Sequence, residues 1–582
     1  MRMRAIHCRD CPEPMGLIAH ALGSHRASFT FTRTARAPRY VVLMRLTSLA
    51  FQSAIAATLA LTSLGTAAQV EITLRAHVDA IAMKPGVPTT VWRYTGTLVD
   101  GPATTVTNLA DSHIGPVLRV QQGDTLTVHF QNDLPQPTNV HWHGLDVPAD
   151  QDGYATDLIP VGGSRDISFV VSNPAGTYWF HPHSDMTTAS QVMHGLAGML
   201  VVQSNAEQAL DLPSGALDVP IVLQDRTFSA DNQLVYAPTM TEHMHGWVGN
   251  TITINGAVNT TLSVPTRVHR LRLLNGCNSR SFKLAWSDGS PLVLIGNDGG
   301  LLAAPVSKSF LMFGPGERAD VWADFSTLAV GASRTLISQS FNPGASQGTL
   351  PNGAALTVAT FTATQQQSEN RTLPATLVPI EAYLLEDAAN PTTPRAWPIS
   401  MAGGEFTLNG GAFADHIVAA NEIVPCDTLE QVEVSNVSGG MMTMLAHPIH
   451  LHGRSFQILS RTNISGNAAN YAAVSPGFHN AGWKDTFLIW PGERVRVLVR
   501  WSSFPGDYAY HCHILEHEDM GMMRTVRIEP CPLVGDLNGD GVVNAGDLSI
   551  VLSAWGGPDG DVNGDGTTDA GDLTLVFAGW SN

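Results

Sequence analysis

The sequence predicts an all-β body in three successive segments, followed by a small acidic tail of different character. Three observations predict it. Short Val/Thr/Leu runs recur between Gly, Pro, Asn and Asp turns, as in Thr125–Phe130, Ile167–Val171 and Val495–Val499. Runs of this kind read as strands, and many in series read as sandwiches. Gly and Pro are plentiful (54 and 35), and no long helical periodicity interrupts the body. Finally, 582 residues with 44% hydrophobic side chains exceed what one core absorbs, so three or four domains are expected.

The segments follow in order. Residues 1–43 are Arg-rich without pattern and contain the pair Cys8 and Cys11; they are expected to precede a true start at Met44. Residues 44–68 read as a secretory signal: Arg45, an apolar stretch from Leu46 to Leu64, then Thr66 and two alanines before Gln69. Their many Ser, Thr and Ala suit cleavage rather than a membrane anchor. Three β segments come next, at 69–205, 206–365 and 366–531. The first boundary falls after Gly198–Val202 and the second in the polar stretch Gln365–Asn370. Residues 533–582 form the tail. The formal net charge is −18; the first 68 residues carry +6, so the remainder carries −24. Such a surface argues against nucleic acid or anionic membrane as partner and mildly favours cationic substrates at low salt. No membrane span is expected, and the chain is expected to be an exported monomer. Export leaves Cys277, Cys426, Cys512 and Cys531. Cys426 and Cys531 flank the last β segment and are expected to bridge.

The tail holds an internal repeat, Asp536–Asp547, which recurs 25 residues later as Asp561–Asp572. Oxygen-bearing side chains stand at loop positions 1, 3, 5, 9 and 12, with Gly at position 6. They are Asp536, Asn538, Asp540, Asn544 and Asp547, then Asp561, Asn563, Asp565, Asp569 and Asp572; Val542 and Thr567 occupy position 7. A calcium ion takes six to eight oxygens, and the glycine permits the sharp turn. Two calcium ions are therefore expected, each loop leading into a short apolar helix, Leu548–Trp555 and Leu573–Trp580. Position 12 is Asp rather than Glu, and no full helix precedes either loop. In this the tail resembles a type I dockerin, which implies a cohesin-like partner.

Four clusters carry the chemistry of the body: His141 and His143; His181 and His183; His447, His450 and His452; and His511, Cys512, His513 and His517. Ten of the 22 histidines lie in them. Alternate side chains of a strand point to opposite faces. His511 and His513 thus face one way and Cys512 the other, while His450 and His452 share a face that His447 opposes. Cys512, His447 and His517 can then build one site. Two His, one thiolate and a weak axial Met make a blue-copper electron-transfer site. Eight histidines behind it suit a copper cluster that binds O2, and the peptide from Cys512 to His511 and His513 joins the two sites.

These clusters, in this order, resemble the multicopper oxidases over roughly residues 70–530. Val140–Pro148, Leu273–Asn278, Ala481–Thr486 and His511–Met523 are most similar to the bacterial periplasmic cuprous oxidases and laccase-like enzymes. The resemblance implies three cupredoxin-like Greek-key sandwiches and four coppers between and within them. It implies His141 and His450 on a type 2 copper. A type 3 pair would take His143, His181, His183, His452, His511 and His513. The type 1 copper would take His447, Cys512 and His517, with Met522 axial and Met520 and Met523 as surface-lining neighbours without function. It further implies Asp152 and Glu518 as acids that relay the four protons of O2 reduction, against the alternative of a solvated turn Asp and a structural Glu. The expected function is one-electron oxidation of a reducing substrate coupled to reduction of O2 to water.

The chain departs from the cuprous oxidases in lacking a long Met- and His-rich insert; only Met441, Met442 and Met444 cluster before the third motif. Cu(I), phenols, aromatic amines and a bilirubin-like molecule all stand as donors. His243 and His245 form a further pair with no family counterpart that can take a stray copper. The rival from another class is a non-catalytic structural or assembly protein placed by its tail, and the intact ligand set opposes it. A two-domain nitrite reductase would not need histidines on both sides of Cys512.

Overall fold

The computed structural model describes residues 67–582, apart from 259, 345–347, 403–404, 438–444, 466–467 and 582. Cys8, Cys11, nearly all of the signal stretch and the Met441–Met444 run lie outside the described residues.

Alternation of apolar and polar residues builds the sheets. In the strand Gln69–Ile81, Val70, Ile72, Leu74 and Ala76 are buried at every second position. They meet Leu118 and Val120 of the opposite sheet in a core that also takes Phe130 and Tyr178. Six sheets arise in this way and fall into three pairs. The first pair has four strands in each sheet and runs from Gln69 to Gln203. The second has six and five, from Asp218 to Gln365. The third has five and five, from Arg395 to Ile528. Each pair encloses its own apolar core, around Trp286 and Phe361 in the second and Trp397 and Trp501 in the third.

The three sandwiches repeat one topology. In the first, Gln69–Ile81 runs parallel to Thr125–Asp133, and Val117–Gln121 parallel to Gly198–Gln203. The second repeats this with Asp218–Arg226 beside Val268–Asn275 and Thr261–Pro265 beside Leu356–Gln365. The third does so with Arg395–Ala402 beside Leu429–Ser435 and Ile423–Val424 beside Met523–Ile528. Parallel neighbours cannot be joined by a hairpin, so the chain crosses between sheets within each sandwich. Cys426 and Cys531 form the expected disulfide, with Cα atoms 5.0 Å apart.

The tail folds as two helices, Ala545–Ser553 and Ala570–Ala578. Both start three residues before the expected positions, because Asn544 and Asp569 cap them: each side chain accepts from the backbone two residues on, and Asp547 and Asp572 reach back to close a capping box. Val543, Val551 and Val576 make a small core. The halves are tied reciprocally. Ser581 N–H donates to the Val543 carbonyl at 2.8 Å, and Thr568 N–H to that of Gly557 at 2.7 Å. Among the described residues, no helix is long and apolar enough to cross a membrane.

Candidate functional site

Strand register brings the third and fourth clusters together. His447–Leu451 and Gly506–Cys512 are antiparallel neighbours, with His450 opposite His511 and Ile449 opposite Cys512. Directly paired residues share a face, so His450 and His511 point one way. His447, two residues before Ile449, points with Cys512 into the third core.

On that second face, His447 Nδ1 lies 3.4 Å and His517 Nδ1 3.6 Å from the Cys512 sulfur. All three side chains are fully buried. Met522 is buried in the same core, and its carbonyl accepts from Cys512 N–H at 3.0 Å. Phe406 packs on the His517 ring, centroids 4.2 Å apart. Burial pushes the Cys512 thiol up, although Ile514 N–H donates to its sulfur at 3.4 Å. A bound cation is what would offset that cost and hold the thiolate. Among the described residues His447 Nε2 has no hydrogen-bond partner, whereas His517 Nε2–H donates to the Met244 carbonyl at 3.2 Å.

On the other face, the first and third sandwiches bring eight buried histidines together. Their inner nitrogens face one another: His141 Nε2 and His450 Nε2 at 3.4 Å, His143 Nδ1 and His181 Nε2 at 3.4 Å, His183 Nε2 and His511 Nε2 at 3.3 Å, His452 Nε2 and His511 Nε2 at 3.1 Å. The outer nitrogens of four of them are held by oxygens of Asp152 and Asp485. His141 Nδ1 donates to the Asp152 carbonyl and His450 Nδ1 to that of Asp485, both at 2.9 Å. His452 Nδ1 donates to Asp152 Oδ2 at 2.8 Å and His143 Nε2 to Asp485 Oδ1 at 3.1 Å. Such partners fix each tautomer and leave the inner nitrogen as an acceptor.

This arrangement fits metal. Imidazole nitrogens bound to one transition ion at about 2.0–2.1 Å lie roughly 3–4 Å from each other, the spacing seen here. Both His513 ring nitrogens and His183 Nδ1 are buried without partners among the described residues. Burial, aided by neighbouring imidazoles, pushes His143, His181, His450 and His452 far below the ordinary histidine range. It brings His183 to about 4 and His513 to about 3. Neutral imidazole is the form a metal needs.

The two expected acids are buried beside these histidines. Asp152 is 1% exposed, which replaces the solvated-turn alternative. Glu518 lies in the helix Leu515–Asp519, with Oε1 3.6 Å from His183 Nε2 and Oε2 3.1 Å from His511 Nδ1. Burial raises its carboxyl, but charge on His183 and His511 would bring it down to about 2. With those rings neutral, the attraction lapses and burial is left to raise it.

Some expectations are corrected. Met523 does not line the surface: it is 1% exposed and packs with Ala155 and Ala509. Its strand pairs with Gly506–Cys512, so successive residues alternate between core faces. Met520 is half-buried. His243 and His245 lie in the helix Met240–His245, and among the described residues no third His, Cys or carboxylate joins them. In the tail, Asp536 accepts from the N–H groups of Gly539, Asp540 and Gly541, and Asp547 from those of Leu537, Asn538 and Asn544. Asp561 and Asp572 repeat the pattern. Asn538 Nδ2 donates to Asp540 Oδ2 at 3.0 Å, and Asn563 Nδ2 to Asp565 Oδ2 at 3.1 Å. Asp485 and Met244 were not foreseen, although Asp485 stands in the stretch Ala481–Thr486 that carries the family resemblance.

Fold and site together define a copper-binding oxidoreductase built from cupredoxin-like sandwiches. Family models described as multicopper oxidase match residues 91–207 and 389–531. The chain is 34% identical over 436 residues to a bilirubin oxidase of Albifimbria verrucaria, covering 72% of each protein. It is 29% identical to a laccase of Bacillus subtilis, covering 76% of this chain and 90% of that one. The crystal structure of the McoA multicopper oxidase from Aquifex aeolicus superposes with a TM-score of 0.67 at 28% identity, over 80% of this chain and 99% of that one. The chain belongs to the multicopper oxidase family, and it oxidises a reducing substrate with O2 as acceptor.

Proposed function

We propose that the chain is an exported, monomeric laccase-like oxidase with four coppers. His447, Cys512, His517 and axial Met522 hold the type 1 copper, and His141 and His450 the type 2. His143, His181, His183, His452, His511 and His513 hold the type 3 pair. The supporting observation is the convergence of both first-sandwich clusters with both third-sandwich clusters at one buried place. Copper supplies the one-electron chemistry and the binding of O2. The protein's part is to separate donor from oxygen: Cys512 faces one site while its peptide neighbours His511 and His513 face the other. Reduction of O2 to two waters takes four electrons and four protons. Asp152 and Glu518, buried against the histidines, carry those protons.

The donor approaches on the Met244 side. His517 is fully buried, and its Nε2–H is covered by the Met244 carbonyl of the helix Met240–His245. The electron therefore crosses without donor contact to the ring, which suits phenols, aromatic amines and Cu(I) alike. Reconstitution with Cu(II) is expected to give about four coppers per chain, and turnover with a substituted phenol, an aromatic diamine and Cu(I) one O2 per four electrons. A single copper per chain, or donor oxidation without O2 uptake, would overturn the assignment.

Glu518→Gln is expected to slow O2 reduction at least 10-fold while copper content and the blue band persist, because it removes a proton carrier and no ligand. Stopped-flow reoxidation of the reduced variant measures this; unchanged reoxidation would return Glu518 to a structural role.

The tail is read as a dockerin-like calcium domain that places the oxidase on a cohesin-like protein. Two features support it. The 12-residue loops repeat in register, and equivalent positions of the two repeats expose large apolar side chains, Leu552 with Phe577 in the helices and Trp555 with Trp580 just beyond them. Exposed pairs of this kind suit a partner surface.

A further inference from the structure

Two stacked histidine pairs join the first sandwich to the third. His141 lies on His452 with ring centroids 3.7 Å apart, and His143 on His450 at 3.6 Å. Each pair has its own acid. Asp152 uses its carbonyl for His141 and its carboxylate for His452. Asp485, from the third sandwich, uses its carbonyl for His450 and its carboxylate for His143. Thr486 Oγ1 completes the second set, 3.1 Å from His143 Nε2 and 3.2 Å from His450 Nδ1. The two acids thus do the same thing from opposite sides of the site. Each joins a ligand proposed for the type 2 copper to one proposed for the type 3 pair.

Asp485 is itself held from the middle sandwich, which contributes none of the clustered histidines. Arg318 grips it with a fork: Nη1 donates to Oδ1 at 2.7 Å, and Nη2 donates to Oδ2. The other Arg318 donors are also taken. Nε donates to the Thr177 carbonyl at 3.0 Å, Nη1 to that of Gly316 and Nη2 to that of Asp298, both at 2.9 Å. All five guanidinium N–H bonds find acceptors, so the fork cannot swing. Those acceptors come from all three sandwiches. Behind them, Lys484 pairs with Asp298 at 2.9 Å and Glu317 at 3.1 Å, one step further from the histidines. The packing leaves no slack. Gly316, at φ +82°, sits where a side-chain carbon would come within 3.0 Å of the His513 ring.

We propose that Asp485 is a positioning residue for both the type 2 and type 3 ligands, and that Arg318 makes the middle sandwich a structural part of the O2 site. The inference rests on the ligand assignment above. Partners of metal-bound histidines typically change metal affinity about 10–100-fold when removed. Asp485→Asn keeps the main-chain carbonyl that holds His450 but removes the negative charge whose Oδ1 lies 3.1 Å from His143 Nε2 and 3.6 Å from His450 Nδ1, so it should weaken copper binding at both ligands by about that factor. It should alter or deplete the type 2 electron paramagnetic resonance signal and the near-ultraviolet band of the type 3 pair, and leave the blue type 1 band in place. Arg318→Lys, which keeps the charge and loses the fork, should do the same more weakly, and it carries the test alone if Asp485→Asn does not fold. Lys484→Met breaks the same buried network without touching a histidine, so it should lower the thermal midpoint and leave the type 2 signal of the folded protein unchanged. A wild-type protein without a type 2 signal would overturn the copper assignment, and this inference with it. A wild-type signal that persists unaltered in Asp485→Asn and Arg318→Lys, or that Lys484→Met removes equally, would overturn this inference alone.

Discussion

Cys512→Ser should abolish the blue colour and donor oxidation together. The colour comes from a thiolate on copper, and a serine hydroxyl does not supply one. The loss of turnover has a separate reason. Cys512 is the one side chain that faces the type 1 set while its peptide runs directly to His511 and His513. Without it the donor site and the O2 site lose their covalent path, and activity should fall below detection. The fold should survive, because the substitution nearly preserves volume at a fully buried position. Cys277 provides the control. Among the described residues it is the other free buried cysteine, with its sulfur 3.7 Å from the Leu223 carbonyl in the second core. Cys277→Ser should stay blue and active. The measurements are visible absorption, copper content and O2 uptake. A blue, active Cys512→Ser would show the type 1 assignment to be wrong.

Residues 533–582 as an isolated fragment should be largely unfolded without calcium and helical with it. Eight Asp and no Lys or Arg repel one another in this stretch. Against that repulsion stands a core of only Val543, Val551 and Val576, with partly buried leucines and Val562 around it. A roughly 50-residue piece with so little apolar burial is marginal. Two calcium ions bring four positive charges and close each loop, so the binding free energy becomes folding free energy. The helices should respond directly, because Asn544 with Asp547 and Asp569 with Asp572 belong to both the loops and the helix caps. Asp540→Ala with Asp565→Ala should abolish the response. In the full chain that double variant should keep its coppers and its turnover. Circular dichroism of the fragment against calcium decides the matter. No gain in helix would leave the tail an acidic linker and remove the docking proposal.

Much of the molecule was legible in one dimension because the relevant signals are local. Period-two alternation marked the strands: Thr125–Phe130 lies within Thr125–Asp133, and Val495–Val499 within Glu493–Arg500. The same alternation sorts Cys512 from His511, and His447 from His450. The helix starts in the tail were misplaced, because capping depends on which loop oxygens the backbone takes and loop composition alone does not reveal that. Met523 failed for a related reason: both faces of its strand are buried, so a methionine there carries no mark of which core it enters.

What the sequence by itself determined is the set of chemical groups and the face each presents: a thiolate and two imidazoles one way, paired imidazoles the other, and two oxygen-rich loops at the end of the chain. What only the tertiary structure decided is which distant groups meet. Asp152 reaches His452 across 300 residues, and Arg318 reaches Asp485 across 167. In the sequence Asp152 is marked by the family resemblance alone and Arg318 by nothing, and the partner of neither is legible. They become part of the O2 site only because three sandwiches dock with their loops together. Docking of that kind follows from the fit of whole buried surfaces, and no spacing of a few residues encodes it.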